Sequence, residues 1–262
     1  MNPLRALVLG LVQGVTEFVP VSSSGHLVLL PALLHWQPPP VAFDVLLHAA
    51  TVVSLLVYFR ADILPLFGIG RSPGESGASP RTLLWIVAAT VVTGALAFPV
   101  KDRIEALFAS PRAAAGFLLV TAVVLLASEA AARGQRNLGG VGWRQGLAVG
   151  VAQALAACPG LSRSGMTICA GLVTGLSRKA AAQFAFLVSI PAILGASAVK
   201  LPELFSGSWT VPLTSCIVGF ASAAISGYVA IWLVMGFVQQ RRLKWFAAYC
   251  IIAGALALLF LR

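Results

Sequence analysis

Residues 10–26, GLVQGVTEFVPVSSSGH, and residues 150–167, GVAQALAACPGLSRSGMT, are two versions of one pattern. Each starts as an apolar run, breaks at Pro, and passes into a cluster of Ser and Gly. At an offset of 140, Gly10 aligns with Gly150, Gln13 with Gln153, Ser22 with Ser162, Ser24 with Ser164 and Gly25 with Gly165. A broken helix inside hydrocarbon is tolerated only where it is buried in protein or lines a wet cavity. The two stretches therefore predict two broken hairpins, Pro3 to Trp36 and Gln145 to Leu176, placed where transporter-like repeats build their sites.

The rest of the chain supports a membrane setting. Of 262 residues, 59% are hydrophobic and 10% charged, with a mean hydropathy of +0.93. Soluble domains run at roughly 45–50% and 25%, and disordered chains are poorer still in apolar residues, so both classes are excluded. Stretches free of Asp, Glu, Lys and Arg run over Thr82–Val100, Ala113–Ser128, Ala180–Val199, Leu204–Gln240 and Trp245–Leu261, with a further span at Val45–Phe59 if extended upstream through Phe43. A crossing helix needs about 20 residues. The expectation is an all-α integral membrane protein forming one domain over 1–262. It is built as two inverted-topology repeats, about 1–135 and 140–262, each a re-entrant helix-loop-helix hairpin plus three transmembrane helices. Thr93-Gly94 and Ser226-Gly227 fall at similar places in later spans, a weaker match whose offset has drifted by seven.

The net charge of +10 would suggest nucleic acid in a soluble protein, but here it reads as loops facing anionic headgroups. Three crossings per half put Arg60, Arg71, Arg81, Arg133, Arg136, Arg144, Arg178, Lys179, Arg241, Arg242 and Lys244 on one face. Arg5, Lys101, Arg103, Arg112, Lys200 and Arg262 fall on the other. The positive-inside rule makes the first face cytoplasmic and both termini external. Trp85, Trp143 and Trp245 are then expected near the inner boundary, and Trp36 and Trp209 near the outer one. Cys158, Cys169, Cys216 and Cys250 lie in apolar runs without metal-ligand spacing and read as small core residues. Gln13 and Glu17 interrupt the first apolar run and no A-x-A site follows, so the first segment is expected to stay in the mature chain.

An ionisable group at membrane depth costs roughly 2.5–3.5 kcal/mol on insertion scales and needs a partner or a purpose. Glu17 and Arg163 are the two clear cases, and hairpin tips that meet would bring them together. The pair could be a structural tie between halves, yet the hydroxyls around it exceed what a tie requires. Gln13 and Glu17 are four apart and share a helix face. Ser22, Ser23, Ser24 and His26 follow the break. One serine is expected to cap the next half-helix, which leaves nucleophile candidates and a proton carrier. Gly160, Ser162, Arg163, Ser164 and Thr167 surround a second helix start, and a helix N-terminus beside a guanidinium suits an anion. His48 reads as a helix histidine satisfied by its own backbone, and His35 as interfacial.

Both stretches resemble the signature motifs of the bacterial undecaprenyl-pyrophosphate phosphatase family, associated with bacitracin resistance. Gln13, Glu17, Pro20, Ser22, Ser23, Gly25 and His26 meet the first motif. Pro159, Gly160, Ser162, Arg163, Ser164 and Thr167 meet the second. The resemblance implies a phosphatase in the bacterial cytoplasmic membrane that cleaves a polyprenyl diphosphate to the monophosphate, its site facing outward. On that reading Ser23 is the expected nucleophile, with His26 itself as the rival. His26 would take the serine's proton, with Glu17 orienting it or activating water, and Arg163 would stabilise the transferred phosphoryl group. Gln13, Ser22, Ser24, Gly160, Ser162, Ser164 and Thr167 would line the phosphates. A divalent cation, Mg²⁺ or Ca²⁺, held by Glu17 with substrate phosphates, is expected because one cationic side chain is too little for a diphosphate. Some members carry Glu where this chain has Gln13, which leaves a second carboxylate ligand in doubt. The alternative from another class is a transporter or flippase of an anionic lipid phosphate. Expected partners are the lipid substrate and membrane lipids, with no nucleic acid.

Overall fold

A computed structural model describes residues 1–37, 39–69, 77–200 and 211–260. Among the described residues the regular structure is helical, apart from one isolated bridge between Arg136 and Leu176. Helices α1 (Pro3–Phe18) and α2 (Ser23–Leu33) form the first broken hairpin. They are followed by α3 (Val41–Tyr58), the short α4 (Arg60–Leu66), α5 (Pro80–Ala97), the short α6 (Lys101–Phe108) and α7 (Pro111–Ala131). The second hairpin is α8 (Trp143–Leu155) and α9 (Arg163–Val173), followed by α10 (Arg178–Val199), α11 (Leu213–Gln239) and α12 (Leu243–Phe260). Among the described residues six segments are long and apolar enough to cross a bilayer, with mean hydropathies of 1.8 to 2.1: α3, α5 continued through α6, α7, α10, α11 and α12. The four hairpin helices have 16, 11, 13 and 11 residues, short of the roughly 20 a span requires.

Half of the twelve helix starts among the described residues were written into the sequence as side-chain caps. Asn2, Ser22, Ser79, Ser110, Ser162 and Ser177 each accept a backbone N–H through the side chain at a helix N-terminus. Pro3, Pro80 and Pro111 stand at first helical positions, where the missing N–H has no consequence. Pro191 lies inside α10 without ending it.

Lipid is as apolar as leucine, so helices in a membrane associate through close packing of small residues. Gly10 and Gly14 of α1 sit against α11. A Cβ on Gly10 would lie 2.5 Å from the Gly219 carbonyl oxygen, and one on Gly14 would lie 2.4 Å from that of Ala223. Gly150 of α8 meets α5 in the same way, 2.7 Å from the Ala89 carbonyl. Helices α7 and α12 pack along Gly254, while α3 packs against α11 and α10, and α10 against α9 and α5. Large apolar side chains such as Val91, Val123, Ile225 and Ile252 point outward, as a lipid-facing surface requires.

Polar contacts gather the segments into two ends. At one, Arg178 pairs with Glu129 at 3.0 Å, Glu129 accepts the Leu243 N–H at 3.2 Å, and Gln183 donates to Asp62 at 3.3 Å. Thr82 reaches the Leu138 carbonyl there, and Arg136 exchanges backbone bonds with Gly175 and Ser177. The loops carrying the expected cytoplasmic cations meet at this end, except Arg71, which lies outside the described residues. At the other end Ser215 donates to the Met1 carbonyl, and Arg5 lies 4.9 Å over the Trp36 ring and donates to the Gln37 carbonyl. Trp209 and Arg262 lie outside the described residues. Trp143 and Trp245 are 59% and 60% exposed, but the Trp85 ring packs against Gly146 between α5 and α8, because glycine leaves room for an indole there. The four cysteines are free, three buried and Cys158 half-buried.

Candidate active site

The two hairpin tips meet. Ser22 Oγ accepts the N–H groups of Gly25 at 3.2 Å and Gly160 at 3.1 Å, and donates to the Leu161 carbonyl at 3.3 Å. Ser164 reaches back to the Val19 carbonyl, also at 3.3 Å. Gly160 has φ +96°, and a Cβ there would stand 2.1 Å from the Ala114 carbonyl oxygen, so both conformation and space require glycine. Ser22 holds φ +69° without being glycine, an uncommon conformation that its three hydrogen bonds keep in place. The junction brings the N-termini of α2 and α9 together, concentrating positive helix-dipole ends and first-turn N–H groups in one place.

Glu17 occupies the centre. Its side chain is 4% exposed, and Oε1 accepts from the Arg163 guanidinium, whose side chain is 20% exposed. Oε2 accepts from Ser23 Oγ at 2.5 Å and from Gln13 Nε2 at 3.1 Å. An acid from the first hairpin thus faces a cation from the second, with a hydroxyl bonded to the acid. Gln13 stands one helical turn before Glu17, and its amide must donate to the carboxylate, which leaves Oε1 buried and without a partner among the described residues.

The remaining residues divide between site and scaffold. Ser22 and Ser162 are helix caps, and Ser24 and Ser164 bond to them at 3.2 Å. Thr167 donates to the carbonyls of Arg163 and Ser164 within its own helix and is buried. The Gly160 and Ser162 N–H groups are taken by Ser22 and by Thr121 Oγ1 at 3.0 Å. The first-turn N–H groups of Ser23, Ser24, Arg163 and Ser164 take no acceptor among the described residues and remain for a ligand.

His26 is not oriented by Glu17, contrary to expectation. Its Nδ1–H donates to the Ser22 carbonyl at 2.7 Å, one turn back on its own helix, and Nε2 lies 2.6 Å from the Tyr249 hydroxyl. Glu17 instead directs its oxygens at Ser23, Gln13 and Arg163. The sequence reading missed Tyr249, and also Thr121, which besides the Ser162 N–H holds the Gly160 carbonyl at 3.0 Å. His48 does bond to its own helix at Asp44, at 2.9 Å, yet its Nε2 also stands 3.9 Å from Glu17 Oε2, so it borders the site.

A family model described as Bacitracin resistance protein BacA matches residues 6–256. The chain belongs to this family. Relatives named undecaprenyl-diphosphatase include those of Carboxydothermus hydrogenoformans, 40% identical over 97% of this chain and 95% of the relative, and Methanosphaera stadtmanae, 38% identical over 99% and 98%. That of Geobacter metallireducens is 38% identical over 100% and 99%. In this member of the family the two motifs touch through Glu17 and Arg163, which lie 146 residues apart along the chain.

Residues for a cation can be tested against this geometry. Among the described residues there is no group of three or more His, Cys, Asp and Glu that could hold a metal by itself. One carboxylate and the unpartnered Gln13 Oε1 are nevertheless hard oxygen donors on one helix face. That donor set fits Mg²⁺ or Ca²⁺ if substrate oxygens and water complete the shell.

Proposed function

We propose that this chain is an integral-membrane phosphatase that hydrolyses undecaprenyl diphosphate to the monophosphate and inorganic phosphate, returning the lipid carrier to cell-wall synthesis. The observation that carries the reading is the buried Glu17 bonded at once to the Ser23 hydroxyl and the Arg163 guanidinium, where two helix N-termini meet. The relatives named undecaprenyl-diphosphatase over nearly the whole chain point to the same substrate. Nothing found favours the transporter alternative.

In the mechanism that fits this geometry, Glu17 is the base. Ser23 Oγ attacks the terminal phosphorus while its proton passes to Glu17 Oε2, already 2.5 Å away, and undecaprenyl monophosphate departs with the electrons of the P–O bond. Arg163 and the first-turn N–H groups of α2 and α9 stabilise charge on the phosphoryl oxygens. Glu17 hands that proton to the departing monophosphate, then takes one from the water that attacks the phosphoserine and returns it to Ser23 Oγ as phosphate leaves. A divalent cation, held by Glu17 and Gln13 Oε1 together with the diphosphate, would neutralise charge that Arg163 alone leaves uncompensated.

The same proposal covers architecture and orientation. The two halves are inverted repeats: α1 starts beside α11 at one end of the bundle and α8 starts with α5 at the other, a relation supported by the matching glycine contacts. The cation-rich end is cytoplasmic, the termini and site face outward, and the membrane is the bacterial inner one. Purified protein should release phosphate from undecaprenyl diphosphate in detergent and cease to do so as Arg163→Ala. Absence of phosphate release from the wild type would refute the function.

A further inference from the structure

Tyr249 lies on α12, 223 residues from His26, and nothing in the two motifs points to it. Its hydroxyl is 2.6 Å from His26 Nε2, and the rings stack with centroids 5.6 Å apart and planes within 14°. The imidazole's other nitrogen is 2.7 Å from the Ser22 carbonyl, which can only accept. Nδ1 therefore carries the proton of the neutral ring, Nε2 presents its lone pair, and the phenol donates to it. A second contact ties the same helix to the same hairpin, because the Cys250 thiol faces the Pro20 carbonyl at 3.7 Å.

We infer that Tyr249 is a positioning residue for His26, the proton carrier read from the first motif: its hydroxyl and ring hold the imidazole in one tautomer and one plane, bonded to the backbone of Ser22 at the hairpin junction. This rests on the reading of the hairpin junction as the active site. Two devices act on the ring from opposite sides. The Ser22 carbonyl fixes which nitrogen is protonated, and the stacked phenol fixes rotation about the bond that one hydrogen bond leaves free. Tyr249 is 45% exposed on the outer surface of the bundle, where an unpaired hydroxyl facing lipid would be costly, so the pair satisfies both polar groups. His26 N–H and Ser22 carbonyl are also bonded as α2's first turn, so the imidazole is referenced to the serine that joins the two tips.

The experiment uses purified full-length protein in detergent, comparing wild type, Tyr249→Phe, His26→Ala and the double variant, with kinetics and ¹⁵N spectra of labelled histidine. The chain has three histidines, so His26 is assigned by its loss in His26→Ala. Tyr249→Phe keeps the stacked ring and removes only the hydroxyl. It should lower kcat by about three- to tenfold, the value of one ordinary hydrogen bond, while KM stays within about twofold. The double variant should be no slower than His26→Ala. The wild-type spectrum should show a single Nδ1–H tautomer, and Tyr249→Phe a mixture. An unchanged His26 spectrum in Tyr249→Phe, or losses that multiply in the double variant, overturns the inference. Full kcat in His26→Ala instead overturns the working role of the histidine, while the spectra still decide whether Tyr249 holds it.

Discussion

Removing one partner of the Glu17–Arg163 pair should cost more than removing both charges. Breaking a buried ion pair from one side costs about 3–5 kcal/mol, because the survivor is left charged and unpaired in a low-dielectric surround. Arg163 keeps a fifth of its side-chain surface exposed whereas Glu17 is 4% exposed, so the two truncations differ. Arg163→Ala strands a buried carboxylate and belongs near the upper figure. Glu17→Gln strands a guanidinium that can turn toward water and belongs near the lower one, about 3 kcal/mol. At about 2–4 °C per kcal/mol for a chain of this size, that is a fall of roughly 6–12 °C in the unfolding midpoint for Glu17→Gln. The double variant Glu17→Gln/Arg163→Gln should recover most of that loss, and it should release no phosphate. Thermal unfolding in detergent and phosphate release, measured on the same preparations, separate the two roles. Destabilisations that simply add in the double variant would refute the pair, and phosphate release by the double variant would refute the site.

Ser23→Ala removes one hydroxyl bonded to Glu17 and caps no helix, so it should leave the unfolding midpoint within about 2 °C while lowering kcat at least a hundredfold. Retention of full activity in that variant would reject serine as nucleophile. Gly160→Ala should yield little folded protein by size exclusion, since its Cβ would meet the Ala114 carbonyl oxygen at 2.1 Å in a backbone conformation with φ +96°. A normal yield and midpoint would contradict the tight tip junction. Chelation should abolish phosphate release and added Mg²⁺ or Ca²⁺ should restore it, whereas activity in excess chelator would remove the cation from the mechanism.

The broken hairpins, the six spans and the meeting of Glu17 with Arg163 could be read beforehand, because each leaves a local mark. Pro and Gly break apolar runs, charge-free stretches have the length of the bilayer, and an isolated acid and base in lipid each demand a counterpart. Capping was legible in part. Ser22 and Ser162 were among several hydroxyls that could have bound phosphate, and only the backbone path shows that both are consumed at helix starts. The partner of His26 was not legible. A tyrosine on an apolar helix looks like any lipid-facing aromatic until packing brings it to the imidazole. His48 stayed hidden for a related reason, since its bond to Asp44 made a complete local account of it while its other nitrogen faced the acid.

The separation of the central pair along the chain bears on how the protein is made. Glu17 enters the membrane with the first segment, and Arg163 follows 146 residues later. At a synthesis rate of about 5–20 residues per second, the acid waits roughly 7 to 30 seconds for its counterion. During that interval the nascent first hairpin must remain protonated, stay near the water boundary, or shelter against the insertion machinery. The Glu17–Arg163 pair therefore cannot close until the second hairpin is made, the contact of His26 with Tyr249 closes later still, and a chain truncated before the second hairpin would keep an unpaired acid at membrane depth.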